Sequence, residues 1–160
     1  MTEQPDTPLL RPEPGYRNVL RLRAAALWVP MLISALVVDR LVMATLPFAW
    51  VLPGVVAVLT LIGVIVAPGR IYRRLGYRID DRLLQAVRGW MIHVDTLVPF
   101  VRVQHIDVTR SLFDKLFGTA SLVVHTAGTH NSMVRIDGLA PERAVEMRDT
   151  IRAHIRTDFQ

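Results

Sequence analysis

Two stretches without a single charge dominate the front of this chain: "AAALWVPMLISALVV", Ala24 to Val38, and "LVMATLPFAWVLPGVVAVLTLIGVIVA", Leu41 to Ala67. A bilayer core about 30 Å thick is crossed by roughly 20 residues of helix. The second stretch exceeds that length. The first reaches it if its helix begins near Leu20 or Leu22, with Arg21 and Arg23 stretching their stems toward the headgroups. A domain of 160 residues has too little other apolar surface to bury two such helices in a water-soluble core. The expectation is therefore a transmembrane hairpin with helices over about 20–40 and 47–67.

Charge placement sets its orientation. Arg11, Arg17, Arg21 and Arg23 precede the first stretch, and Arg70, Arg73, Arg74 and Arg78 follow the second. Between them the basic residue is Arg40, beside Asp39. Basic residues at span ends favour the cytoplasmic side, so both termini are expected there, with a short outer turn around Asp39 to Pro47. Asp39 reads as a turn residue rather than a proton-relay carboxylate. No small-x-small cleavage pattern stands out before the second stretch, which argues against a signal peptide. Residues 1–19, rich in proline, read as a flexible leader.

From 68 to 160 the pattern changes to short alternating segments. Tyr77–Asp80, Leu83–Gly89, Trp90–Val98, Val101–Val108, Thr119–Thr126 and Met133–Ile136 predict strands, punctuated by Asp81, Gly89, Pro99 and "AGTHNS". Pro141 and Glu142 then open a helix whose Ala144, Met147, Ile151 and Ile155 form one apolar stripe. Six half-apolar strands must close on one another. The expected fold class is membrane-anchored α+β: a two-helix hairpin, then a small antiparallel β-barrel or sandwich covered by a C-terminal helix.

Within that domain "RVQHIDVTRSLFDKLFG", Arg102 to Gly118, carries an Arg-Val-Gln-His-Ile strand and a Lys115-Leu116-Phe117-Gly118 corner. Thr126-Ala127-Gly128 follows, and Tyr77, Ile79, Asp80, Leu84 and Gly89 precede. This ordered set resembles the bacterial pleckstrin-homology (PH) domain of YdbS-like membrane proteins, over roughly Leu20 to Ile155. Lys115 stands where relatives often have Arg. The resemblance implies a PH-like domain with membrane anchoring at the bacterial cytoplasmic (inner) membrane, and no particular activity. Some relatives carry several such domains, whereas this chain has one.

The reactive-looking residues assemble no enzyme. Strict alternation would put Val101, Val103, His105 and Asp107 on one face and Arg102, Gln104, Ile106 and Val108 on the other. His105–Asp107 and His93–Asp95 would then be polar pairs on a sheet face. No GxSxG elbow accompanies them. The five histidines have no metal-ligand spacing, although His125 and His130 could meet across a turn. Cysteine is absent, and the dispersed glycines build no phosphate loop. No catalytic residue, cofactor or metal is expected. In "SLFDKLFG" Leu112, Phe113, Leu116 and Phe117 are expected to plug the barrel, with Asp114 and Lys115 outward; the alternative is an apolar wedge against lipid or the membrane hairpin.

Net charge is +5, and all but one of the 19 basic residues are arginine. Acids interleave them and no nucleic-acid motif appears, so nucleic acid is not an expected partner. The expected role is a non-enzymatic scaffold, binding a membrane or membrane-associated protein by strand addition or beside the terminal helix. Arg102 and Gln104 are the candidate partner contacts. The alternative is a module that senses anionic lipid or membrane stress, with Arg70, Arg73, Arg74 and Arg78 as candidate headgroup contacts; a remote alternative is an enzyme with an unrecognised site.

Overall fold

The structure, a computed structural model, describes residues 8–43, 45–80, 82–90, 92–127 and 133–158. Helix α1 (Gly15–Val38) continues through a π-helical stretch, Asp39–Met43. A turn leads into α2 (Val51–Leu61), which passes through a second π-helical stretch, Ile62–Val66, into α3 (Ala67–Arg73). Gly15–Val42 and Val51–Arg73 are both long and apolar enough to cross a membrane, and only 11% and 17% of their apolar windows are buried. Core helices of a soluble domain hide such surface; these display it.

The two helices face each other. Gly63 lets the Trp28 indole lie directly on its backbone: an added Cβ would sit 2.5 Å from Nε1. Gly63→Val is therefore expected to wedge the helices apart and destabilise the folded chain by about 1–3 kcal/mol, read as a lower unfolding midpoint in detergent. Within the apolar helices, the Thr60 hydroxyl donates to the Val56 carbonyl (2.7 Å) and Ser34 to the Pro30 carbonyl (2.9 Å), so neither polar group is left bare.

At the hairpin tip, Trp50 has φ 76°, an uncommon conformation for a bulky residue. Two interactions hold it. Buried Asp39 accepts the Trp50 backbone N–H at 2.8 Å, and the Arg40 guanidinium lies 4.2 Å over the indole. Asp39 thus fastens the turn, and the turn itself comes later than Asp39, because helix persists to Met43.

Six strands follow: β1 (Gly76–Ile79), β2 (Leu83–Arg88), β3 (Val94–Pro99), β4 (Val103–Thr109), β5 (Ala120–Thr126) and β6 (Met133–Leu139). They form two antiparallel sheets, ordered β1-β2-β3 and β4-β5-β6. The short helix α4 (Leu112–Leu116) turns the corner from β4 to β5. Helix α5 (Pro141–Asp158) covers the core through Ala144, Met147 and Ile151, all essentially inaccessible. Tyr77, Leu84, Val98, Phe100, Ile106 and Leu122 fill the space between the sheets. The arrangement is consistent with a PH-like fold.

Three expectations need correction. First, the described part of the leader is fastened: Leu10 and Tyr77 exchange backbone hydrogen bonds (2.8 and 3.0 Å), Glu13 N–H donates to the Gly138 carbonyl (2.7 Å), and α1 already begins at Gly15. Second, a register shift between Val103 and His105 breaks the alternation of β4, so Val103 and Ile106 both point inward while Gln104 and His105 are exposed. Third, α4 turns its acidic residue inward and two of its leucines outward, while Lys115 is exposed as expected. Asp114 is fully buried, whereas Leu112 and Leu116 are 77% and 71% exposed.

Candidate functional site

The inversion of α4 has a polar cause. Ser111 and Asp114 form a capping box: the Asp114 backbone N–H donates to the Ser111 hydroxyl (3.2 Å), and Asp114 Oδ2 accepts the Ser111 backbone N–H (3.0 Å) and its hydroxyl. Thr119 donates its hydroxyl to Asp114 Oδ1 at 2.9 Å. The fourth partner comes from the hairpin. Arg23 Nη2 lies 3.0 Å from Asp114 Oδ2 and 3.2 Å from the Ser111 hydroxyl. A carboxylate so surrounded is stable where an isolated one would not be.

Just below this bridge, Tyr16 and Val19 of α1 are buried. Gly138 allows the contact, since an added Cβ would come within 2.6 Å of the Tyr16 ring. Near it lies a second polar set, in which Arg135 pairs with Asp137 and Ser121 donates to Asp137 at 2.7 Å while accepting from Arg135 at 3.1 Å. The foot of α1 is thus joined to the corner after β4 and to the end of β6.

Burial by itself would raise the Asp114 carboxyl, but the hydrogen bonds from Ser111 and Thr119, with the Arg23 charge, outweigh it and leave it below its ordinary 3.8. A depressed folded value contributes stability in full above 3.8, and that contribution is lost as pH falls through the lower folded value. The chain is therefore expected to lose stability on acidification below 3.8, and Asp114→Asn to lose less over the same range, as read from unfolding midpoints in an acid titration.

The basic residues after the hairpin do not form one group. Arg73 and Arg74 line a groove with Leu9, Leu75, Gly76, Val87 and Arg11, a cation the sequence left with the leader. Arg74 is anchored to the Trp90 carbonyl, and Arg73 Nε donates to Gly69 O at 3.3 Å. Arg70 is exposed on α3, and Arg78 lies on β1 opposite Gln85; neither lines the groove.

The proposed partner contacts also separate. Gln104 lines a second groove, with Val103, His105 and Ile106 of β4 on one wall and Arg152 and Ile155 of α5 on the other. Arg102 is exposed but outside it, in the 3₁₀ turn Phe100–Arg102, with its carbonyl accepting from Ala127 N–H at 2.9 Å. The edge-on contact of Phe100 with His154, centroids 5.6 Å apart, holds α5 beside this turn. What the sequence offered for the groove was the apolar stripe of α5; the bulge that turns Gln104 and His105 toward solvent has no local signal.

His105 and Asp107 do meet, at 2.8 Å, and His125 from β5 approaches the same carboxylate at 3.6 Å. All three are substantially exposed. Among the described residues no group of three or more His, Cys, Asp or Glu side chains is arranged to hold a metal. The His93–Asp95 pair is replaced by a hydrogen bond from Gln85 Nε2 to Asp95 at 2.7 Å. His130 and Gly128 lie outside the described residues.

A family model described as a bacterial PH domain matches residues 24–155. No curated protein and no solved structure matches the chain.

Proposed function

The chain belongs to the bacterial PH domain family, and from that premise we propose that it is a non-enzymatic integral membrane protein of the bacterial inner membrane, holding its PH-like domain at the cytoplasmic face to bind another protein. Within the family we assign it to the YdbS-like arrangement of a membrane hairpin followed by the domain. The observation that carries this reading is the junction between the two parts. Helices with mostly exposed apolar surface are tied to the two-sheet domain by Arg23–Asp114 and by the Tyr16–Gly138 contact. Such surface is unfavourable in water by about 25 cal/mol per Å² and neutral in hydrocarbon. The basic residues flanking the hairpin favour cytoplasmic termini.

The groove between β4 and α5 supports the partner-binding role. It combines apolar floor residues, Val103, Ile106 and Ile155, with the polar groups of Gln104 and Arg152 at its rim. A photo-crosslinking residue at position 104 of the full-length chain, in intact bacterial membranes, is expected to trap a protein that Arg152→Glu releases. Crosslinking no stronger than from Met133 would overturn the groove as the binding surface. Carbonate extraction tests the anchoring separately: recovery of the chain in the supernatant would end it.

A second reading rests on the groove of Arg11, Arg73 and Arg74 just past the second apolar helix. Cations near an anionic leaflet each contribute on the order of 1 kcal/mol. Chain purified in nanodiscs of mixed lipid is expected to enrich anionic lipid, and Arg73→Gln with Arg74→Gln to lose that enrichment. Equal lipid composition in the two preparations rejects it.

A further inference from the structure

We propose that the corner helix α4 is a membrane-dipping wedge, whose Leu112 and Leu116 insert among the lipids of the leaflet on the domain's side. The inference rests on the hairpin spanning a bilayer and goes beyond it, because it concerns a surface of the folded domain.

Depth is fixed by the ion pair. Arg23 is the last charged residue before the uncharged run that starts at Ala24, so in a spanning helix its guanidinium lies at the headgroup level. From Arg23 to Val42 the helix rises about 28 Å, close to the thickness of a hydrocarbon core. Asp114 and Ser111 contact that same guanidinium at 3.0 and 3.2 Å. Helix α4 is thereby placed at the membrane boundary rather than out in the aqueous phase.

Orientation is fixed by the same carboxylate. With Asp114 turned inward, Leu112 and Leu116, one helical turn apart, share the opposite side and are 77% and 71% exposed. Phe117, also exposed, extends the apolar patch, and exposed Lys115 beside it suits anionic headgroups. The occupant is lipid because the patch is continuous in level with the exposed apolar surface of α1, where Leu27 and Met31 already face outward. In water these side chains would have no partner; at the leaflet boundary they need none other than acyl chains.

The chain lacks cysteine, so single labels can be placed without removing native thiols. Leu112→Cys, Leu116→Cys, Met133→Cys and Leu59→Cys, each carrying bimane on the full-length chain in vesicles, separate the possibilities. Met133 pairs with His125 at the end of β5 away from α4, and Leu59 lies on the exposed surface of α2. Labels at 112 and 116 are expected to lose intensity to brominated acyl chains and to resist aqueous iodide, as at 59, while the label at 133 does the reverse. Quenching of 112 and 116 by iodide as at 133, with 59 still quenched by brominated lipid, overturns the wedge and leaves the hairpin reading intact. Failure of lipid quenching at 59 overturns both.

Discussion

Asp114→Ala is expected to cost the folded chain about 3–5 kcal/mol, among the largest effects of any single substitution here. The side chain is fully buried and serves four donors: the Ser111 backbone and hydroxyl, the Thr119 hydroxyl, and Arg23. Alanine leaves these donors facing a small void and deprives Arg23 of its counter-charge. Arg23→Ala is milder, at about 1–2 kcal/mol, because Asp114 keeps its local hydrogen bonds and the Arg23 side chain is already 33% exposed. Denaturant unfolding of the full-length chain in detergent micelles measures both, and the double variant isolates their coupling. A loss under about 1 kcal/mol for Asp114→Ala would show that the corner is not a fastening between helix and domain.

The second large effect is expected at Gly138, which has φ 77°. Gly138→Ala meets two penalties: a left-handed backbone, costing about 1–2 kcal/mol, and a collision with the Tyr16 ring and Pro12, whose nearest atoms lie 2.6 and 2.9 Å from the new carbon. Overpacking of that kind adds about 1–3 kcal/mol. Gly118 supplies the control, since it too has positive φ (64°) but nothing within 4 Å of an added Cβ. Gly118→Ala is expected to show the backbone penalty alone. The excess at Gly138 measures how firmly the foot of α1 is held, and trypsin cleavage at Arg17 should quicken only in the Gly138 variant. Equal losses at the two glycines would mean that Tyr16 is readily displaced.

Much of the architecture was legible because its causes are local. Two uncharged runs announce two long helices, alternation marks most of the strands, and the Ala144–Met147–Ile151 stripe identifies the buried side of α5. The errors arose where the deciding partner is distant in sequence. Leu112, Phe113, Leu116 and Phe117 fit an inward apolar face as well as an outward one over five residues of helix. What decides is Arg23, far upstream, which claims Asp114. The strap of residues 8–14 is likewise held by Tyr77 and Gly138, not by any propensity of its own. In β4 the bulge at Gln104 changes which side chains reach the groove, and one displaced residue leaves no mark in the pattern of hydrophobicity.

The Arg23–Asp114 bridge also constrains the order in which the protein is born. Chains emerge from the ribosome N-terminus first, so Arg23 is made well before Asp114, which follows 91 residues later. During that interval the guanidinium must rest against other partners, water among them. The corner helix then exchanges those provisional partners for a carboxylate, so the joint between α1 and the domain closes only after β4 has been made.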